Sequence, residues 1–217
     1  MSRGATSLLL DLDGTLVDSK PGIMESYRFA AETVLPGWTH DASMVLIGPP
    51  LPEMFRTSFP KASEAQIESL VGTFRKHYGD EGLFKTVLFE GVADVLAHCR
   101  ERGGDLHIVT NKPLRLSTSI LDHLKIAPFF HCVLAADSIH PPFAGKAAMI
   151  RHLLNTHHCS AADAIYIGDT VEDALAAAAC GLRFVWAAYG YGKLSADQLK
   201  PVLGTLQHFR ELEGFLQ

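Results

Sequence analysis

Short runs of leucine and β-branched residues punctuate the chain, and between most of them apolar positions recur at helical spacing. The runs are TSLLLD (6–11), DLHIVT (105–110), HCVLAA (131–136), AIYIGD (164–169) and RFVWAA (183–188). Each is short and nearly continuous in apolar residues, as a strand covered on both faces is. From the second run onward helical stretches alternate with them. GVADVLAHCRERGG (91–104) sets Val92, Val95, Leu96 and Cys99 on one face and ends on a helix-stopping glycine pair. PLRLSTSILDHLK (113–125) carries Leu116, Ile120, Leu121 and Leu124. AGKAAMIRHLLNTH (144–157) and DTVEDALAAAACG (169–181) complete the set. Such alternation predicts right-handed crossovers and a Rossmann-like α/β fold, a parallel sheet with helices on both faces.

About 80 residues separate the first strand from the second, and they read as helical. Ser19 is placed as an N-cap with Pro21 in the first turn, followed by GIMESYRFAAETVL. PPLPEMFRTSF holds a Pro-rich turn and a short helix. ASEAQIESLVGTFRKHYGDEGLF spaces Ile67, Leu70, Val71 and Phe74 along one stripe. The expected division is therefore a core of residues 1–17 and 85–217 and a helical insert of 18–84. The tail after residue 193 carries little pattern.

Composition narrows the function classes. The 217 residues are 47% hydrophobic and 20% charged, with a net charge of −5, as expected of a soluble globular protein. The acidic balance argues against nucleic acid as a partner, because phosphate backbones are gripped by dense Lys and Arg. No apolar run reaches the roughly 18 residues of a membrane span. The N-terminus lacks the three regions of a signal peptide, so a cytoplasmic location is expected. Cys99, Cys132, Cys159 and Cys180 form no C-x-x-C pair and read as reduced, packed thiols. The eleven histidines are scattered, and His157 and His158 would diverge on a helix. With no H-E-x-x-H stretch, no zinc site is expected.

The chemistry gathers elsewhere. Ligands of open parallel sheets bind beyond the carboxyl ends of the strands. Those ends carry Asp11 and Asp13; Thr110, Asn111 and Lys112; and Asp169 and Asp173, while the helix after the third strand starts near Lys146. Asp after a strand is a common turn or capping residue, and Thr110 alone could be a cap. Four acids, a hydroxyl and a lysine on one rim are a different matter. Clustered carboxylates repel unless a hard cation sits among them, and Mg²⁺ takes a few carboxylates, waters and a substrate phosphate. The lysine and hydroxyl can hold phosphate oxygens. One aspartate can be a nucleophile and a second, two residues on, a general acid and base. Gly14 is expected to let backbone N–H groups approach the phosphate.

DLDGTLVDS, VTNK, Lys146 and GDTVED together resemble, in order and spacing, the four motifs of the haloacid dehalogenase-like hydrolase superfamily. D-x-D-G-T-[LV] is the most specific of them. The insert resembles that superfamily's α-helical cap. IGPPL (47–51) and YGYG (189–192) are similar to the branch of phosphoglycolate phosphatase-like and 5′-nucleotidase-like enzymes.

The resemblance implies a Mg²⁺-dependent phosphatase acting on a small phosphorylated metabolite, as a monomer or weak homodimer. Asp11 matches the nucleophile and a metal ligand, and Asp13 the acid/base with its carbonyl also on the metal. Thr110 and Asn111 match the phosphate-binding motif, and Lys146 the lysine that pairs with nucleophile and phosphate. Asp169 matches a direct metal ligand, and Asp173 an acid that completes or orients the metal shell. Lys146 stands in PPFAGKAAMI rather than in the K-P-x-P context of many relatives, which leaves Lys112 as the other lysine to weigh. Candidate cap contacts to the leaving group are Lys20, Tyr27, Arg56 and the Gly48–Leu51 loop. Asp13 argues against a dehalogenase, which needs no second acid. A phosphomutase would use the same rim, whereas a phospho-accepting receiver has no helical insert and a non-catalytic homologue would not need every position filled.

Overall fold

The computed structural model describes residues 7–37, 50–195, 197 and 202–215. Six parallel strands form one sheet: β1 (Ser7–Leu10), β4 (Asp105–Thr110), β5 (Cys132–Ala135), β6 (Ala164–Gly168), β7 (Arg183–Ala187) and β8 (Val202–Leu206). Their order is β5-β4-β1-β6-β7-β8. β1 lies between β4 and β6, with Leu10 opposite Ile108 on one side and Ile167 on the other. All four of its residues are buried, as an apolar run with neighbours on both sides and helices on both faces should be. The chain winds outward from β1 to β4 and β5, then returns to build β6, β7 and β8 on its other flank. The carboxyl end of β1 is therefore the topological switch point, where open sheets leave a crevice.

Four helices connect these strands: α4 (Val92–Glu101), α5 (Leu114–His123), α6 (Lys146–Thr156) and α7 (Val171–Ala179). Met149, Ile150 and Leu153 of α6 and Ala176 and Ala177 of α7 pack with Leu9, Val109, Tyr166 and Phe184 in one core. The alanines of α7 keep that helix close to the sheet, since they present little bulk.

Among the described residues, the apolar pattern left three strands unannounced. A two-residue antiparallel ribbon joins β2 (Val17–Asp18) to β3 (Val87–Leu88), too short to leave a period. β8 pairs in parallel with β7. Its centre is Gly204, where an added Cβ would lie 2.2 Å from the Phe215 ring, so the residue that breaks the apolar run is the one that admits the ring. The helix read over 144–157 ends at Thr156, so neither His157 nor His158 lies within it. His157 is the C-cap of α6, and His158 has a left-handed backbone with φ 53°.

The chain divides into two compact units, Met1–Asp18 with Val87–Gln217, and Ser19–Thr86. The second unit has its own core. α1 (Lys20–Val34), α2 (Leu51–Ser58) and α3 (Glu64–Asp80) bury Tyr27, Phe55, Phe59, Ile67, Leu70 and Phe74. Tyr27 stacks on Phe55 at 5.0 Å between ring centres. α3 begins with a capping box between Ser63 and Gln66. Ser19 occupies the N-cap position of α1, but its side chain makes no capping bond.

Two expected leaving-group contacts have other surroundings. Tyr27 is a core residue of this unit, 1% exposed, because its ring completes the aromatic stack. Arg56 is held by Glu64 through bonds of 3.2 and 2.8 Å. Lys20 is exposed at the start of α1, and Gly48 and Pro49 lie outside the described residues.

Candidate active site

The centre is built at the tip of β1. The strand ends at Leu10, and Asp11 continues its direction, its N–H bonded to the Ile167 carbonyl at 2.9 Å. The chain then turns tightly. The amides of Leu16 and Val17 donate to the Leu12 carbonyl, and that of Gly14 to the Val17 carbonyl at 2.9 Å. The N–H of Gly14 itself is used inside the turn. The residue's necessity is steric. It has φ +80°, and a Cβ there would lie 2.3 Å from Asp169 Oδ2.

Asp11, Lys146, Asp169 and Asp173 are each 5% exposed or less. Lys146 is the first residue of α6, and its ammonium lies 3.0 Å from Asp11 Oδ1 and 2.6 Å from Asp173 Oδ1. Burial alone would drive its proton off, but the two carboxylates more than reverse this and raise its pKa. Lys146 is a fixed cation beside Asp11. Lys112 belongs to another pair, 3.0 and 3.1 Å from the two oxygens of Asp13.

Asp173 is fully engaged. Oδ1 accepts from Lys146 and from the Tyr166 hydroxyl at 2.8 Å, and Oδ2 from the Thr170 amide and hydroxyl at 2.9 and 2.6 Å. Burial pushes its pKa up, yet Lys146 and these donors outweigh burial and hold it below the usual carboxylate range. The same contacts form a capping box with Thr170 at the start of α7.

Asp169 is the opposite case. Its Oδ2 accepts from the Tyr191 amide at 2.7 Å and the Gly192 amide at 3.2 Å, but Oδ1 is buried with no partner among the described residues. Burial and the charge of Asp173 push its pKa up to about 6. Burial, against the pull of Lys146, also raises Asp11 well above the usual range, with Asp173, Asp169 and Asp13 adding to the rise. One carboxylate oxygen from each of Asp11, Asp169 and Asp173 lies within 4.8 Å of the others. An orphaned oxygen among crowded, destabilised carboxylates is a fit for a hard cation, whose charge removes that crowding.

At the end of β4 the buried Thr110 hydroxyl oxygen accepts from the Lys112 amide at 3.2 Å, which leaves its hydrogen to donate elsewhere. Asn111 is exposed, and its side-chain amide donates to Glu172 at 2.9 Å.

Tyr166, Thr170, Trp186 and the 189–192 turn complete the surroundings, and motif reasoning gave none of them a role. Trp186 Nε1 donates to the Asp169 carbonyl at 3.1 Å, and the Tyr189 hydroxyl to the Thr15 carbonyl at 2.6 Å. The T-x-x-D spacing of a capping box was the one available signal, for Thr170. Gly190 packs so tightly that a Cβ would lie 2.3 Å from the Gly14 carbonyl oxygen and 2.4 Å from Asp169 Cβ. Gly190→Ala is expected to displace Asp169 and lower kcat/KM about 100-fold, since misplacement of about 1 Å has that effect. Steady-state kinetics beside a melting curve checks it; unchanged kinetics would show that Asp169 tolerates the shift.

An open parallel sheet with a lysine-anchored cluster of acids at its switch point defines a Rossmann-like enzyme with an acidic centre. The haloacid dehalogenase-like hydrolase family matches residues 8–187. The chain is 32% identical to a plasmid-borne phosphoglycolate phosphatase of Cupriavidus necator over 95% of this chain and 93% of that one. It is 30% identical to a 5′-nucleotidase of Pseudomonas aeruginosa over 89% and 86%. A haloacid dehalogenase-like hydrolase structure from Streptococcus pneumoniae superposes with a TM-score of 0.86 at 30% identity, covering both chains completely. The chain belongs to the haloacid dehalogenase-like hydrolase family.

Proposed function

We propose that the protein is a Mg²⁺-dependent phosphatase that hydrolyses a small phosphate monoester through an aspartyl-phosphate. The observation that carries this reading is Lys146, buried and bound to both Asp11 and Asp173 beside the unpartnered Oδ1 of Asp169. The phosphoglycolate phosphatase and 5′-nucleotidase relatives favour a phosphorylated carboxylate, sugar or nucleotide as substrate.

Asp11 and Asp169 would hold the cation, with the Asp13 carbonyl. When bound it neutralises phosphate charge and favours attack by an anionic oxygen. Asp11 attacks phosphorus as the ester P–O bond breaks, and Lys146 balances charge on the phosphoryl oxygens. Asp173 positions Lys146. The Thr110 hydroxyl donates to a phosphoryl oxygen. An arriving phosphate offers Lys112 a second acceptor, which releases an Asp13 oxygen. Asp13 then protonates the leaving alkoxide. In the second half, Asp13 takes a proton from water as the water oxygen attacks phosphorus, freeing Asp11 and inorganic phosphate. Release of phosphate from p-nitrophenyl phosphate with Mg²⁺ tests this; no turnover would refute it.

Asp13→Asn should lower kcat by roughly 10²–10⁴-fold, the usual share of acid–base catalysis. The loss should be largest for esters with poor leaving groups, because those need the proton most. Equal losses across a leaving-group series would remove Asp13 from the acid role.

In this reading the 19–86 unit is a cap that selects the leaving group. Both connections start from the β2–β3 ribbon, and Val17 of that ribbon bridges to Asp13. Substituting Pro50 and Leu51 should change kcat/KM unevenly across natural esters and change p-nitrophenyl phosphate hydrolysis less, since that ester makes few remote contacts. A uniform change across the panel would argue against recognition by the start of α2.

A further inference from the structure

A second cluster of ligating side chains lies at the opposite edge of the sheet. Ser7, Asp105, Cys132 and Ala164 each begin a strand, so they share the amino-terminal edge. From Asp105 to Thr110, β4 runs about 16 Å at 3.3 Å per residue, which separates this edge from the catalytic rim. Asp105 and His107 are two apart on β4 and project to the same face. His131 immediately precedes β5. His157 and Cys159 follow α6, in the connection to β6.

These residues converge. Asp105 Oδ2 is 2.8 Å from His107 Nε2, and Oδ1 is 3.0 Å from His131 Nδ1. Ligand atoms of Asp105, His107 and Cys159 lie within 4.8 Å of one another. The ring centres of His107 and His131 are 5.7 Å apart, those of His107 and His157 4.9 Å, and those of His131 and His157 5.1 Å. An imidazole bound to zinc at about 2.0 Å has its ring centre about 3 Å from the metal, so rings on a tetrahedral ion stand about 5 Å apart.

Packing alone accounts poorly for this arrangement. His107 is wholly buried, and its Nδ1 has no hydrogen-bond partner among the described residues. A buried nitrogen left unpaired is destabilising. Cys159 Sγ accepts from the Ser7 hydroxyl at 3.4 Å, a donor that would also support a thiolate. His131, bonded to the other oxygen of Asp105, stands where an outer-sphere partner orients a ligating carboxylate.

We propose that this edge binds one zinc-like divalent cation through His107, Cys159 and Asp105, with His157 completing the shell. The donors are nitrogen, sulfur and one carboxylate, a set that selects Zn²⁺ or Co²⁺ over Mg²⁺. The ion would tie the α6–β6 connection to β4, far from the catalytic centre, and so act on stability rather than turnover. The reading of the histidines as scattered is thereby revised, because β4, the residue before β5 and the α6–β6 connection bring three of them to one corner of the sheet.

Co²⁺ titration of the chelator-stripped protein tests the site, since the catalytic cluster offers only oxygen ligands and gives no thiolate–cobalt charge-transfer band. The wild type should show such a band saturating at one equivalent, displaced by Zn²⁺. Added Zn²⁺ should raise Tm in a concentration-dependent way. Cys159→Ser should abolish the band and weaken Zn²⁺ binding roughly 100-fold or more. Cys132→Ser should retain it, and both variants should keep phosphatase activity with Mg²⁺. Absence of the band at saturating Co²⁺, or its persistence in Cys159→Ser, overturns the proposal whatever the phosphatase assay gives.

Discussion

Asp11→Asn is expected to abolish turnover, by roughly four orders of magnitude or more, while leaving the protein folded. An amide cannot attack phosphorus as a carboxylate does, and loss of a nucleophile removes nearly the whole covalent pathway. Asn has almost the shape of Asp, and the buried position asks for little rearrangement. Stability should hold because Lys146 keeps Asp173 at 2.6 Å as its partner and one of the crowded carboxylates is gone. Kinetics with p-nitrophenyl phosphate beside a melting curve reads both quantities. Residual activity within about 10-fold of wild type would assign the nucleophile elsewhere. Asp173→Asn should differ in kind. It weakens the acceptor for Lys146, Tyr166 and Thr170 together, so activity and Tm should fall in parallel.

Removal of divalent cations is the second large effect. Asp11, Asp169 and Asp173 bring three carboxylates within 4.8 Å, and Asp169 Oδ1 has no donor among the described residues. Without a cation, burial pushes the pKa of Asp169 up to about 6 and raises that of Asp11 well above the usual carboxylate range, which disfavours an anionic Asp11. EDTA should therefore eliminate turnover, and Mg²⁺ should restore it. Ca²⁺ should compete with Mg²⁺ yet support little turnover, because its longer and more numerous bonds loosen the in-line geometry. Full activity after exhaustive chelation would contradict the cation's role. Asp169→Ala should raise the Mg²⁺ concentration needed for half-maximal rate.

The parallel sheet and the acidic rim at its carboxyl ends were legible because their signals are local. β1, β4, β5, β6 and β7 fall inside the five apolar runs, and each strand ends at or one residue before the end of its run. Asp11 and Asp169, the last residues of their runs, could be grouped by position before any geometry was known, and Asp173 follows four residues on in the first turn of the next helix. What stayed hidden depends on partners distant in sequence. Tyr166 reads as a plain strand residue until its hydroxyl meets Asp173 and the Val109 carbonyl. Gly190 reads as a turn glycine until it lies against Gly14 and Asp169. Tyr27 was eligible as a substrate contact only because helical spacing does not say which aromatic residues fill the insert's core. β8 escaped because Gly204 and Thr205 interrupt its apolar character, and parallel pairing with β7 supplies what the sequence pattern lacks.

The aspartyl-phosphate is the central claim, and the stereochemical course at phosphorus tests it most directly. A phosphorothioate monoester made chiral with ¹⁶O and ¹⁸O is hydrolysed in ¹⁷O-water with Mg²⁺, and the configuration of the inorganic thiophosphate released is read. Attack by Asp11 followed by attack by water is two in-line displacements, so the account predicts net retention. Net inversion would mean that water attacks the ester in a single step, and would contradict it.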